Sequence, residues 1–336
     1  MFMNIAINGF GRIGRSVFKA LLNKPEFKTI VINDLSGTKT MAYLLQHDSC
    51  YHEYGKKVEF TENSLIVDGK TFKVIAETDP EKLPWRELAI DLVLECSGKF
   101  TDRAGAAAHL KAGAKKVIIS APGKSDDVKT FVLGVNEAKL KKSDQVISMA
   151  SCTTNCLAPV TEVIRKKFGI KKAIMTTVHS YTADQNLIDK AHKDLRRARA
   201  AALNIIPTTT GAAIATAKTI PALDGKFDGL SLRVPTPVVS LCDIVYVTGK
   251  KTDAAKINQA LIIAADRELK GILQVTDEPL VSSDFMGNSH SAIVDLSLTK
   301  VIDGDLVKVI AWYDNEWGYS CRLADLCVYI DKNRLL

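Results

Sequence analysis

The 336-residue sequence holds no apolar run approaching the roughly 20 residues that a bilayer-spanning helix needs. Its start, MFMNIAINGFGR, lacks the charged, then apolar, then small-residue order of a secretory signal. These two absences lead to the expectation of a cytoplasmic protein with no membrane partner. The seven cysteines are an odd number without framework spacing, and no second pair at ligand spacing accompanies Cys152 and Cys156, so reduced thiols and no metal are expected. The basic clusters, such as Lys115-Lys116 and Arg165-Lys166-Lys167, are short and lack interleaved aromatics. With no zinc-finger, ribonucleoprotein or KH pattern, the net charge of +7 reads as solvated faces and a field mildly attractive to small anions. No dedicated nucleic-acid partner is expected. Internal repeats, low-complexity tracts and a Pro/Gly/Ser linker are also missing.

What is present points to two domains, since 336 residues with 46% hydrophobic content exceed the usual size of one core. The first half alternates short apolar runs with helical patterns, the signature of βαβ units and a parallel sheet. Asn4 to Asn8, Thr29 to Ile32, Leu92 to Cys96, Val117 to Ser120 and Val146 to Ser148 read as strands, and Arg12 to Leu22 and Arg103 to Ala112 as helices. Val58 to Ala76, turning at Asp68-Gly69, reads as a β-hairpin. The alternation stops near residue 150. A helix from about Thr153 to Phe168, a strand through 174–178 and a charged loop from Tyr181 to about Leu203 follow. Longer strands (Leu230 to Val234, Val238 to Val247, Ala292 to Thr299, Leu306 to Trp312) then surround one amphipathic helix, Ala254 to Leu269. Ser320 to Ile330 carries a closing helical stripe. The fold class is therefore α/β: a doubly wound sheet of Rossmann type, then an α+β domain.

Gly9, Gly11 and Gly14 form G-x-G-x-x-G between a predicted strand and a predicted helix, where a backbone can approach a pyrophosphate at a helix N-terminus. Asp34 follows the second strand about 20 residues on, placed to accept the adenosine ribose hydroxyls. Ser151-Cys152-Thr153-Thr154-Asn155 lies between a strand and the helix it opens, so Cys152 would stand at a helix N-terminus that favours its thiolate. His179, at the end of the next strand, is best placed of the six histidines to exchange a proton with it. His47, His52, His109 and His290 read as surface or core-filling, and Cys156, one turn after Cys152, as a buried helix residue. Arg197, Thr182, Arg233 and the run Thr208-Thr209-Thr210-Gly211 offer guanidinium and hydroxyl donors suited to phosphate.

At SCTTNCLAP the chain resembles the phosphorylating (type I) glyceraldehyde-3-phosphate dehydrogenases. NGFGRIGR, HKDLRRARAAA, IIPTTTGAA, LRVPTP and WYDNEWGYS match further family segments in the family's order, so the resemblance covers essentially the whole chain. It implies an NAD-binding Rossmann domain of residues 1–150 joined by the C-terminal helix 316–336, a catalytic domain of 151–315 with a mainly antiparallel sheet, and a homotetramer. It implies that Cys152 is the nucleophile and His179 its activator, and that the product of glyceraldehyde 3-phosphate oxidation is an acyl phosphate. Thr182 and Arg233 would hold the substrate's phosphate; Ser151, Thr153, Thr210, Gly211 and Arg197 would hold inorganic phosphate. Arg12, Ile13, Asp34, Ser120 and Asn315 would contact NAD, with Tyr319 beside Asn315, and NADP would be used less well. The rivals are a relative acting on erythrose 4-phosphate and a redox-sensing or binding protein on the same fold.

Three positions depart from the family pattern. Met149 stands where Asn is common, Thr78-Asp79-Pro80 replaces Arg-Asp-Pro with the expected loss of a cofactor contact, and Lys190-Ala191 replaces Leu-Pro before His192.

Overall fold

The computed structural model describes residues 3–336; Met1 and Phe2, where the expected cofactor domain begins, lie outside the described residues. The chain divides into two compact units, one of residues 1–131, 138–150 and 323–336, the other of 132–137 and 151–322.

The first unit carries a nine-stranded sheet. Its parallel part runs, from the outer edge inward, Lys129–Thr130, Val146–Ser148, Lys116–Ile119, Leu92–Glu95, Met3–Asn8, Phe27–Asn33 and Lys70–Ile75. From Met3–Asn8 the chain first builds one side, through Phe27–Asn33 and Lys70–Ile75. It then returns to the other flank of Met3–Asn8 with Leu92–Glu95. The order of strands therefore reverses between Met3–Asn8 and Leu92–Glu95, and a crevice opens at the carboxyl ends of these two strands, where doubly wound sheets bind ligands. Both strands are nearly or wholly buried, as their continuous apolar runs require of a sheet covered on two faces. The expected hairpin is in fact a three-stranded meander, Val58–Thr61, Ser64–Val67 and Lys70–Ile75, because Glu62-Asn63 makes a second turn before Asp68-Gly69. The helix Arg12–Leu21 buries Val17, Phe18 and Leu21, and Phe18 packs edge-on against Phe10 and Phe72.

The second unit is built on a seven-stranded sheet ordered Ile206–Thr209, Phe227–Val234, Ile170–Ser180, Ser240–Thr248, Leu306–Tyr313, Ala292–Ile302 and Leu273–Thr276. Four of its neighbouring pairs are antiparallel and two parallel. Pro207 lies in an edge strand, where a residue without an N–H costs no ladder bond. The helix Cys152–Phe168 starts at an Ser151 cap, whose hydroxyl accepts the Thr154 N–H at 3.1 Å, and stops at Gly169 with φ of +69°. Cys156, Leu157, Val160 and Ile164 bury one stripe of this helix against Ile244, Val294, Val309 and Ala311 of the sheet. Each fully buried side chain of this size is worth about 1.5–3 kcal/mol. Two helices not anticipated from periodicity, Thr38–Gln46 and Ala212–Thr219, complete the set with Arg103–Lys111, Ala254–Asp266 and Trp317–Lys332. Among the described residues no helix is long and apolar enough to cross a membrane.

Candidate active site

The dinucleotide fingerprint takes the form that its spacing predicts. Gly9 has φ of +94°, and a Cβ there would lie 2.6 Å from the Ser97 backbone. A Cβ on Gly14 would collide with the Gly9 carbonyl oxygen, so these two glycines are demanded by the chain itself. Gly11 is different: a Cβ there would meet nothing within 4 Å. It opens on a cleft of about 350 Å³ lined also by Asn8, Asn33, Asp34, Thr78 and Ser97. The helix Arg12–Leu21 begins at Gly11 with no side-chain cap and no acidic residue in its first turn. A glycine floor and an uncapped helix start fit a pyrophosphate. Asp34 accepts the N–H of Phe10 at 2.6 Å and of Ser36 at 2.8 Å, which fixes the carboxylate at the edge of the cleft. Arg12 pairs with Asp48 at 3.1 Å, Ser120 donates to the Glu95 carbonyl at 2.9 Å, and Thr78 lines the cleft beside Glu77.

The thiol site is built wholly within the second unit. Cys152 is the first residue of its helix, and its Sγ lies 3.5 Å from His179 Nε2. The approach to it is strained, since Ala150 adopts φ of +57°, a conformation that costs a side-chain-bearing residue about 1–2 kcal/mol. His179 stands near the end of Ile170–Ser180, in register with Arg233 on the parallel strand Phe227–Val234. Its Nδ1 lies 2.7 Å from the Ser180 carbonyl and 2.9 Å from the Arg233 guanidinium, which itself donates to that carbonyl at 3.1 Å. The Ser180 carbonyl can only accept and the guanidinium can only donate, so Nδ1 cannot serve both; with the ring hydrogen on Nδ1 and directed at the nearer carbonyl, Nε2 offers a lone pair to the thiol.

Burial pushes the Cys152 thiol up to about 11, against the lowering pull of the Arg233 charge and of hydrogen bonds from Thr153. Burial, then Arg233, push His179 down to about 3. Each group alone therefore resists ionising. Passing the thiol proton to Nε2 makes two adjacent opposite charges rather than one isolated ion, and burial penalises that far less. The pair is a poised proton donor and acceptor.

Tyr313, which the sequence reading left without a role, is the buried hub of this site. Its hydroxyl lies 2.9 Å from both Thr153 and Thr177, and its ring meets His179 edge-on at 6.0 Å. Thr153 is thus already engaged by a neighbour. Asn315 Oδ1 accepts hydroxyls from Ser180 and Ser240, each at 3.1 Å, and Tyr319 is buried nearby in sequence at the start of Trp317–Lys332. Arg197, in the loop, donates to Thr208 at 2.9 Å and Thr209 O at 3.1 Å and pairs with Asp184 and Asp194. Arg233 keeps a buried Nε with no hydrogen-bond partner, an orphaned donor. Thr210 caps the Ala212 N–H at 3.2 Å beside Gly211, which precedes the helix Ala212–Thr219. Ser151 spends its hydroxyl on the helix cap. Met149 is fully buried, and the seven cysteines are free thiols. Among the described residues no cluster could hold a metal ion.

A Rossmann crevice in one unit and a helix-borne thiol against an imidazole in the other are features of a dinucleotide-dependent oxidoreductase. Residues 3–103 match the family model described as glyceraldehyde 3-phosphate dehydrogenase, NAD binding domain, and residues 151–315 match the C-terminal domain model of the same family. The chain is 53% identical over 336 residues to glyceraldehyde-3-phosphate dehydrogenase of Geobacillus stearothermophilus, covering all of both chains. It is 52% identical over 332 residues to glyceraldehyde-3-phosphate dehydrogenase 2 of Synechocystis, covering 98% of each. It is also 52% identical to the chloroplastic A form of Chlamydomonas reinhardtii, covering 96% of this chain and 87% of that one. The chain belongs to the glyceraldehyde-3-phosphate dehydrogenase family, and NAD is its cofactor.

Proposed function

We propose that this protein oxidises glyceraldehyde 3-phosphate to an acyl phosphate through a thioester on Cys152. The observation that carries the reading is the 3.5 Å contact of Cys152 Sγ with His179 Nε2, with Arg233 held against the far side of the same imidazole. His179 takes the thiol proton as sulfur adds to the aldehyde carbon, and the resulting oxyanion lies close to the imidazolium. Hydride acceptance from that carbon is the chemistry that NAD supplies when bound. What remains is an acyl group on Cys152, which inorganic phosphate attacks to release the product and restore the thiolate. Gly9, Gly11, Arg12, Ile13, Gly14, Asp34 and Ser120 on the first unit, and Asn315 with Tyr319 on the second, are the residues we assign to NAD. The NAD-binding domain would comprise residues 1–150 with the helix 316–336, and the catalytic domain 151–315. A homotetramer in the cytoplasm is the accompanying expectation. The deciding experiment is NADH formation from glyceraldehyde 3-phosphate with phosphate present and absent, beside erythrose 4-phosphate. A higher kcat/KM for the four-carbon aldehyde would overturn the substrate.

Thr182 and Arg233 are assigned to the aldehyde's phosphate, and Ser151, Thr153, Thr210, Gly211 and Arg197 to inorganic phosphate. Among the described residues Arg233 pairs with no carboxylate, which favours it as the stronger anion donor, while Arg197 must first release Asp184. Arg233→Ala is expected to raise KM for the aldehyde by about 10- to 100-fold, the worth of a charge-assisted hydrogen bond. Arg197→Ala is expected to raise chiefly the KM for phosphate, by a smaller factor. Equal changes in both constants for both variants would remove the two-site assignment.

For the cofactor, Asp34 repels a 2′-phosphate and is held in place by two backbone N–H groups. Thr38, a possible donor to such a phosphate, is engaged by the Thr61 carbonyl at 2.7 Å. NAD is expected to exceed NADP in kcat/KM by at least about tenfold, or about 1.4 kcal/mol. Equal efficiency with NADP would show that the loop pair Lys190-Ala191, a cation and a small residue in place of Leu-Pro and so better suited to a 2′-phosphate, outweighs the carboxylate.

A further inference from the structure

Beneath the cleft of the first unit lies a buried chain of polar side chains that the chemistry above does not use. Asn8 and Glu95 end the two strands between which the sheet order reverses, and they are register partners. Asn8 Nδ2 donates to Glu95 Oε2 at 2.6 Å, and Asn33 Nδ2 donates to Asn8 Oδ1 at 2.7 Å. Asn33 in turn accepts the Glu77 N–H at 3.0 Å and donates to the Glu77 carbonyl at 2.9 Å. On the other side, His109 Nε2 lies 3.1 Å from Glu95 Oε2, and Trp85 Nε1 lies 3.1 Å from His109 Nδ1. An indole N–H can only donate, so Nδ1 accepts and Nε2 carries the hydrogen that goes to Glu95. The second carboxylate oxygen accepts the Ser97 N–H at 2.8 Å and the Ser97 hydroxyl.

A carboxylate is costly to bury unless its lone pairs are filled, and the side chains of Glu95 and His109 are both fully buried. Glu95 has donors for both oxygens. The Asn8 and Ser97 donors come from the two walls of the cleft. Asn8 precedes the Gly9 turn, and Ser97 is the residue whose backbone that turn abuts. One charged group therefore ties the glycine turn to the facing turn, at a distance the chain alone leaves to the loops.

We propose that Glu95 is a positioning residue for the dinucleotide: it holds the Gly9 and Ser97 turns at the separation the pyrophosphate requires, without touching the ligand. The inference rests on the assignment of this cleft to NAD. Replacing Glu95 by Gln keeps the shape but turns an NH₂ group toward donors, so at least one wall is released. Glu95→Gln is expected to weaken NAD binding, followed by fluorescence titration well below the melting temperature, by about tenfold, with the loss in KM for NAD rather than in kcat. Ser97→Ala removes the hydroxyl that donates to Glu95 and accepts the Lys99 N–H, and is expected to weaken NAD about threefold; it decides the matter if Glu95→Gln does not fold. NAD affinity equal to the parent's in the folded Glu95→Gln variant, or in Ser97→Ala where that variant fails to fold, would overturn the proposal. A parent protein with no measurable affinity for NAD would instead overturn the assignment of the cleft on which the proposal rests.

Discussion

Cys152→Ser is expected to lower turnover by at least on the order of 10³-fold, the scale on which removal of a catalytic nucleophile is felt. The serine hydroxyl would occupy the same helix start beside His179, but it is far less acidic than a thiol and cannot form the thioester from which phosphate departs with the acyl group. NAD affinity should stay within about twofold, because the fingerprint glycines and Asp34 belong to the other unit. Turnover within tenfold of the parent, with NADH formed from the same aldehyde, would remove Cys152 from the chemistry.

His179→Asn should lower turnover by about 10²- to 10⁴-fold, the usual span of a lost acid-base group. The sharper readout is the pH profile of Cys152 alkylation without cofactor. In the parent, His179 gains a second proton only near its depressed value of about 3, and the thiol ionises alone only near about 11. Between these limits the pair holds a single proton that moves between sulfur and nitrogen without net change in charge. The alkylation rate should therefore be flat through the neutral range. With Asn in place of His, the reactive thiolate arises only by loss of the proton to solvent, so the rate should climb about tenfold per pH unit toward the alkaline limit. Matching profiles would exclude His179 as the partner of Cys152.

Sequence pattern alone located the parts of the fold that obey a single periodicity. The parallel strands are short apolar runs buried on both faces, and the ends of Met3–Asn8 and Val146–Ser148 fell within a residue of their reading. Thr38–Gln46 was missed because its buried stripe, Thr38, Met41, Ala42 and Leu45, shares the helix with exposed Tyr43 and Leu44, which blurs the amphipathic pattern. Ala212–Thr219 is almost wholly small residues and shows little contrast between its faces. In the thiol site, Cys152 and His179 were legible because each stands at the boundary of one element. The Tyr313 hydroxyl was not, since it reaches Thr153 across 160 residues of chain, a contact that only the packing of the helix Cys152–Phe168 on the strand Leu306–Tyr313 creates. The same holds for Glu95 and His109: a carboxylate inside a strand and a histidine on a helix acquire their partnership only when Leu92–Glu95 and Arg103–Lys111 pack together.

The three glycines of the fingerprint, written as one motif, answer to two different constraints. Gly9 and Gly14 are forbidden a side chain by the chain's own backbone, so any protein keeping this turn must keep them, whatever it binds. Gly11 faces open space, and nothing in the fold would resist a methyl group there. Its identity is maintained from outside, by whatever must come close to that backbone. A lineage that kept the fold but abandoned the dinucleotide would have to hold the outer two glycines and would be free to let the middle one drift.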